Sequence, residues 1–509
     1  MLPTAERPRV SPAAPAAALR RPVVAVLVLL LAYAALLALG DSRTGSVSDV
    51  GGKLATAKVL AEGDGTTPDV GYWAEEHDPD GTFHALANTG RVGDRWVQAT
   101  SVPYSLATGV LWRLGGPAGV AALSMAASVA SALAARRIAR HLGADRGGAA
   151  FWLVGLGGPL AVYALDGWEH APGVALGLWG VALGLHPRTS TRAAAAGACF
   201  TAAITLRADL AVTTVAFGVA TLAVADVRRR WTRHPSRIAA GVLGAAVPLL
   251  ANTALEHLAL GEGLRASRAG DGAAQAGVDL GQRVTDAMLT GFGLFADDSP
   301  TALLLGGLLL GALVVLAGRV AGRPWATDPL TTAATFTAVL LYALRLLDGL
   351  GFVPGALAAA PIAVLALAAH RRADTWVVLG TALGAVPLVW LLQWNGSHVP
   401  QWGGRYLLMS TALLTVVAAV ALERNGLRKG PTPLLLGLTV VVTAMGLAWH
   451  VERTTIEGDV LDALMDQPAD TVIVAIDGQL GRELGAGYGD IRWLSADEGS
   501  WQGSLAVAL

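Results

Sequence analysis

The stretch Arg20-Arg-Pro-Val-Val-Ala-Val-Leu-Val-Leu-Leu-Leu-Ala-Tyr-Ala-Ala-Leu-Leu-Ala-Leu-Gly-Asp41 decides the fold. Two arginines lead into an uncharged block, Pro22–Gly40, and an aspartate closes it. At about 1.5 Å of rise per residue, a helix of this length crosses the ~30 Å hydrocarbon core of a bilayer. The block is longer than the ~7–15 apolar residues of a cleaved leader, so it reads as an uncleaved first span. Arginines before it place residues 1–21 as a cytoplasmic tail. The same unit recurs down the chain as apolar blocks of about 15–20 residues between short Arg-rich or acidic stretches. Of 509 residues, 53% are hydrophobic and only 15% charged, with 62 glycines. A soluble domain carries about 25% charged residues to cover its surface. Together with a mean hydropathy of +0.52, this excludes a soluble multidomain enzyme, a disordered chain and a secreted disulfide scaffold. The net charge of −1 creates no field toward nucleic acid. The single cysteine, Cys199, sits inside an apolar block, forms no intrachain disulfide and reads as a small buried hydrophobe.

The expected fold is an all-α polytopic membrane protein of about 13 transmembrane helices, with a small extracytoplasmic C-terminal α/β appendage. The membrane domain occupies residues 22–449. Residues 41–101 form its first extracytoplasmic loop, rich in acids from Asp41 to Asp94. Val102–Trp112 is too short to span easily and reads as a dipping helix or the start of a bent span. Pro117–Ala135 returns to Arg136, Arg137, Arg140 and Arg146. Gly147–Leu165 goes out, Asp166–Ala171 turns, and Pro172–Leu185 comes back. Later spans include Val353–Ala369, Trp376–Trp394, Tyr406–Leu422 and Pro433–Trp449. Loops placed inside by parity are Arg-rich, while the long acidic loops fall outside; the two readings are independent and agree. The protein is thus expected in the cell membrane, multi-pass, with its N-terminus cytoplasmic and residues 450–509 extracytoplasmic. Thr471–Ile476 is β-branched and strand-like, and Ile491–Ser495 reads as a second strand.

Charges at membrane edges are costly, so each is a functional candidate. Asp49 follows the first span closely and leads into Gly-Gly-Lys53. A carboxylate there is a candidate general base, or one acid of a solvated loop. Asp166, Glu169 and His170 crowd one short loop, where they suit a metal or a substrate hydroxyl; helix capping by Asp166 is the structural alternative. Cations are rare on the expected outer face. Arg207, Arg265, Arg268, Arg345 and Arg405 are the exceptions. Arginine forks suit a lipid phosphate, and an Arg207–Asp209 pair joining helices is the alternative. Trp394, Trp402 and Tyr406 suit the interfacial aromatic belt. Glu75–Asp80 is a metal candidate or a solvated acidic run, and Asn395-Gly-Ser397 is a weak glycosylation sequon. Gly485, Gly487 and Gly489 do not have dinucleotide-fingerprint spacing, and no nucleotide cofactor is expected.

Several of these stretches resemble a known family. The early acid Asp49 before Gly-Lys-Leu-Ala-Thr-Ala, the Pro103–Leu106 stretch leading to Gly115-Gly116, Tyr163–Pro172, Leu206-Arg-Ala-Asp209 and Trp402-Gly-Gly-Arg-Tyr406 are similar to the GT-C fold polyprenyl-phosphate-dependent glycosyltransferases. The likeness is to bacterial members related to protein O-mannosyltransferases and aminoarabinose transferases. It implies transfer of a hexosyl or pentosyl group, with inversion, from a polyprenyl-phosphate sugar donor to an envelope glycan, lipid or protein acceptor on the outer face. It implies Asp49 as the catalytic base, and Asp166, Glu169 and His170 as positioning groups for acceptor or a divalent metal. Lys53, Arg207 and Arg405 would meet the lipid phosphate. The family often carries an Asp-Glu pair in the first loop, whereas here Asp49 is followed by Val50. A transporter or flippase of lipid-linked sugars is the alternative; it predicts mid-span charge pairs and repeat symmetry, neither evident in the sequence.

Overall fold

The structure, a computed structural model, describes residues 14–45, 49–86, 88–263, 280–294, 299–319, 328–347, 353–369, 372–392, 402–425, 430–468, 471–475, 485–497 and 499–508. α1 (Ala14–Leu37) contains the first apolar block. The polar stretch after it holds α2 (Val50–Glu62) and an antiparallel hairpin of β1 (Thr89–Val92) and β2 (Arg95–Gln98). Then come α3 (Val102–His141), α4 (Gly148–Gly155), α5 (Leu160–Tyr163), α6 (His170–Gly184), α7 (Ser190–Leu206), α8 (Leu210–Ala223), α9 (Ala225–Thr232) and α10 (Pro235–Leu260). α11 (Leu280–Phe292), α12 (Pro300–Arg319), α13 (Pro329–Leu347), α14 (Ala356–Ala359) and a 3-10 helix at Pro361–Ala368 precede α15 (Ala373–Leu392). A 3-10 turn at Arg405–Leu407 opens α16 (Leu408–Asn425), and α17 (Thr432–Met465) follows. β3 (Val472–Ala475) and β4 (Arg492–Ser495) pair in parallel, and α18 (Trp501–Ala508) ends the described chain.

Among the described residues, seven helices are long and apolar enough to cross a membrane: α3, α10, α12, α13, α15, α16 with its opening turn, and α17. α8 and α9 make an eighth if counted as one span bent by 98°. Two further blocks expected to span are broken, while α6 and α7 are continuous but only 15 and 17 residues long. Gly147–Leu165 divides into α4 and α5 at Leu156–Pro159, where two glycines and a proline interrupt the helix. Val353–Ala369 is α14 plus a 3-10 helix, and its Ile362 N–H donates to Thr439 Oγ1 of α17 at 2.9 Å. Such breaks are tolerated at membrane depth where neighbouring side chains take up the freed backbone groups. α3 carries the bend expected between Trp112 and Pro117: Gly116 has φ +59°, and Pro117 opens the second segment.

α16 is the hub, almost wholly buried, while α10 is almost wholly exposed to the surroundings. Small residues explain the hub: Ser410, Thr411, Ala412, Thr415, Ala418, Ala419 and Ala421 are all buried and let neighbours close in. α7 and α10 approach equally closely, since a Cβ on Gly197 or Gly244 would lie 2.0 Å from a backbone oxygen of the partner helix. The α7–α10 contact fixes the helix whose end carries Arg207.

The polar stretch after α1 and the C-terminal segment form one body. Trp73 Nε1 donates to the Trp493 carbonyl at 3.0 Å, Ser495 N to the Phe83 carbonyl at 2.8 Å, and Tyr488 Oη to the Gly71 carbonyl at 2.9 Å. Lys58 pairs with Asp490 and donates to the Ala486 carbonyl at 3.1 Å. His84 is buried between Tyr72, Trp96 and Tyr488. α17 runs past Trp449 and carries the chain toward this body, with Arg43 joining Asp462 at 2.6 Å.

Candidate functional site

Three carboxylates stand at helix starts, where they would ordinarily cap. Asp49 is the N-cap of α2, Glu169 of α6 and Asp209 of α8, and none caps its helix through its side chain. Their oxygens face cations instead. Asp49 Oδ2 lies 3.1 Å from Arg405 Nη1, and Asp49 Oδ1 accepts from Asn88 Nδ2 at 3.3 Å. Glu169 Oε2 lies 3.4 Å from Lys53 Nζ, and Glu169 Oε1 lies 3.4 Å from Arg207 Nη1. Asp209 Oδ1 accepts from Arg207 Nε at 2.9 Å. Lys53 sits one turn after Asp49 on α2 and also reaches the Asp49 carbonyl at 3.5 Å. The first loop, the α5–α6 loop, the α7–α8 turn and the start of α16 thus converge on one charged cluster.

The local sequence explains how each arm is aimed. Arg405 follows Gly403 (φ +71°) and Gly404 (φ +60°), a left-handed pair that only glycine adopts freely. A Cβ on Gly403 would lie 2.1 Å from Pro159 Cβ, and one on Gly404 would lie 2.3 Å from the Thr290 carbonyl oxygen. Trp402, expected in an interfacial belt, is buried and stacks on Trp449 at 5.7 Å between ring centroids. It anchors the turn because Gly446 leaves room for its indole: a Cβ there would lie 2.4 Å from the ring. Arg207 ends α7 in extended conformation (φ −139°, ψ 106°), which turns it back over the start of α8.

An aromatic wall backs the cluster. The Arg405 guanidinium lies 4.7 Å from the Tyr406 ring centre and 5.7 Å from Trp168, while Arg207 lies 5.7 Å from Tyr406. These cation–π contacts hold the forks without consuming their hydrogen-bond donors. Tyr163, Trp168 and His170 pack together at centroid distances of 4.0–5.8 Å. Among the described residues, Tyr104 Oη, Tyr163 Oη, Trp168 Nε1, Arg405 Nε and both His170 nitrogens are buried without a hydrogen-bond partner. Buried polar groups are rarely left so, and water or a polar ligand can supply the missing bonds here.

All the residues singled out for catalysis, positioning and phosphate binding lie in or beside this cluster. Asp166 is buried and electrostatically coupled to Tyr104 and Tyr163. Arg345 is buried on α13. Arg265, Arg268, Trp394 and the Asn395–Ser397 sequon lie outside the described residues. Within the Glu75–Asp80 run Asp78 is structural, accepting from Tyr72 Oη at 2.7 Å and from the Thr82 and Phe83 N–H groups, while Glu76, His77 and Asp80 are exposed. Asn88 has no role in the sequence reading and Tyr406 reads there as a belt aromatic; the folded chain brings both to the cluster. Among the described residues no group of three His, Cys, Asp or Glu side chains is placed to hold a metal ion. Glu169, the central acid, is already bracketed by two cations, so the donor set does not suit a metal. Asp49 keeps 21% of its side-chain surface exposed against 7% for Glu169. Of these two acids, Asp49 is the one an incoming group can reach.

Solved structures of similar layout exist. ArnT from Cupriavidus metallidurans in the apo state shares 16% identity over 94% of this chain and 86% of that chain, with a TM-score of 0.37. The same enzyme bound to undecaprenyl phosphate shares 14% identity over 95% and 87%, with a TM-score of 0.35. No protein-family model and no curated protein matches the chain. Likeness at this level assigns no residue a role, and the functional reading rests on the side chains of the cluster.

Proposed function

We propose that the chain is a membrane glycosyltransferase that moves a sugar from a polyprenyl-phosphate donor to a cell-envelope acceptor on the extracytoplasmic face. The observation that carries this reading is the convergence of Lys53, Arg207 and Arg405 on two acids at the ends of apolar helices. Three cations at membrane level suit a phosphate on a lipid tail, and guanidinium forks bind phosphate oxygens in pairs. The domain division follows: residues 22–449 house the transfer site, and residues 450–509 cover the first outer loop.

In the reaction, Asp49 takes the proton of an acceptor hydroxyl. The acceptor oxygen forms the new bond to the anomeric carbon from the side opposite the phosphate. The carbon–oxygen bond to the phosphate breaks, and its electron pair leaves with the polyprenyl phosphate. Arg405, Arg207 and Lys53 receive that growing negative charge, which is where preplaced cations lower the barrier most. Arg405 has a double part. While it holds Asp49 the carboxylate is a weak base; once phosphate draws the guanidinium away, Asp49 becomes a stronger one. Donor binding therefore arms the base. His170, Tyr104, Tyr163 and Trp168 offer the unpartnered polar atoms that sugar hydroxyls would satisfy. Asp166 and Glu169 hold the cations and the acceptor in register. The arginine-rich loops on the opposite side support a cytoplasmic N-terminus and an outer site.

The test is consumption of lipid-linked sugar by purified Asp49→Asn protein in membranes. Loss of turnover by about 10²–10⁴-fold is the range for a removed general base. Unchanged turnover overturns the role of Asp49.

A further inference from the structure

Away from the Asp49 cluster, a second concentration of charge lies at the other end of the same helices. Arg405 opens α16 and Arg424 nearly closes it. The helix between them is about 28 Å long at 1.5 Å per residue, close to the thickness of a bilayer core. The α16 end at Arg424 meets the end of α3 and the start of α15. All three belong to helices long and apolar enough to span.

Two guanidinium groups converge there on one point. A Cβ built on Gly143, just past α3, would lie 2.4 Å from Arg372 Nη1 and 2.7 Å from Arg424 Nη2. The two nitrogens are therefore within about 5 Å of each other, a separation at which like charges repel. No carboxylate compensates among the described residues. Asp374, two residues from Arg372, is held by Arg230 at 2.6 Å and by His186 at 3.1 Å. Glu423, beside Arg424, accepts from the Ala149 N–H at 3.3 Å at the start of α4. Arg424 has two long bonds to the Leu142 and Gly143 carbonyls, at 3.3 and 3.4 Å. The Arg372 guanidinium has no hydrogen bond or ion pair among the described residues; only its backbone carbonyl is engaged, by the Trp376 N–H at 3.0 Å. Both side chains are exposed. Gly143 is itself left-handed at φ +92°, so no side chain fills the space between the two forks.

We propose that Arg372, Arg424 and the Gly143 turn form an anion site for a phosphate group of an anionic phospholipid, on the membrane face opposite the Asp49 cluster. A phosphodiester oxygen between the two guanidiniums would neutralise their repulsion and accept from both forks, the geometry arginine favours for phosphate. Its acyl chains would lie along the spanning helices. The site ties α3, α15 and α16 together at one leaflet, where α16 is the helix that carries Arg405 at its other end.

The test places the full-length protein in nanodiscs of phosphatidylcholine, with and without phosphatidylglycerol, and counts co-purifying lipid by native mass spectrometry. The expected result is a preference for phosphatidylglycerol on the order of tenfold, the size of one set of charge-assisted hydrogen bonds. In Arg372→Gln/Arg424→Gln this preference disappears. Arg372→Gln alone, which removes no bond to the backbone, is expected to remove most of it while the melting temperature in phosphatidylcholine stays at the wild-type value. Inorganic phosphate, added at rising concentration, is expected to compete for the site weakly. If phosphate alone displaces the lipid at millimolar levels, the occupant is a free phosphate and the lipid assignment is overturned. A folded Arg372→Gln protein that keeps the full preference overturns the site.

Discussion

Glu169→Gln is the most informative single change at the cluster. It is nearly isosteric and removes one charge from between Lys53 Nζ and Arg207 Nη1, each 3.4 Å away. Lys53, Glu169 and Arg207 expose only 4%, 7% and 13% of their side chains, so water cannot replace the lost carboxylate. Removing one partner of a buried ion pair costs about 3–5 kcal/mol, because the remaining charge is left uncompensated. The distances here are longer than the ~2.7–2.9 Å of tight charge-assisted bonds, and Arg207 keeps Asp209 at 2.9 Å. The expected loss is therefore at the low end, about 3 kcal/mol. Thermal unfolding in nanodiscs is expected to show a clear drop in melting temperature. Polyprenyl phosphate should then restore more of the melting temperature in the variant than it adds to the wild type, since Lys53 has lost its carboxylate and Arg207 keeps only Asp209. Lys53→Met in the same background should recover part of the loss. A variant that melts with the wild type, or that responds to polyprenyl phosphate no more than the wild type, refutes the view that Glu169 balances cations meant for phosphate.

Other changes probe the supports of the site. Gly404→Ala forces a side chain into a left-handed turn against the Thr290 carbonyl; a cost of about 1–3 kcal/mol and a fall in turnover are expected, measured by melting and by donor consumption. Gly485→Ala brings a Cβ to 1.8 Å from the Gly51 carbonyl in the first turn of α2, so it should displace Asp49 and lower kcat more than it raises KM. A proportional change in KM alone would contradict that reading. Burial holds the His84 imidazole below its usual range, so the folded state favours the neutral ring. Its contribution to docking of the C-terminal segment is full above about pH 6.5 and is lost as pH falls through the depressed value. Amide protection factors around Tyr488 should fall in mild acid, and protection factors unchanged as pH drops below about 6.5 would refute the assignment.

The membrane class and the members of the charged cluster were legible because charge is scarce in this chain. A charged residue at the edge of an apolar block stands out, and Asp49, Lys53, Glu169, Arg207 and Arg405 are such residues. Their pairing was not legible. Arg405 meets Asp49 across 356 positions, and nothing in either local sequence encodes the distance. The helix breaks at Leu156–Pro159 and at Ala360 escape the sequence reading for a different reason. Hydropathy counts apolar atoms and continues smoothly across a break, whereas the break depends on backbone torsion and on groups such as Thr439 that accept the freed N–H. The clasp between the first loop and the C-terminal segment rests on backbone carbonyls at Gly71, Phe83 and Trp493, which have no sequence signature. Trp402 looked interfacial because its neighbours are polar, and its burial follows from the cleft that Gly446 leaves on α17.

The most direct measurement is single-turnover transfer from a polyprenyl-phosphate sugar by wild-type and Asp49→Asn protein, with donor binding measured in parallel. The account predicts that Asp49→Asn binds donor at least as tightly, because Arg405 is released, yet transfers sugar about 10²–10⁴-fold more slowly. Wild-type transfer rates in the folded variant, or loss of donor binding with the rate constant intact, would contradict it.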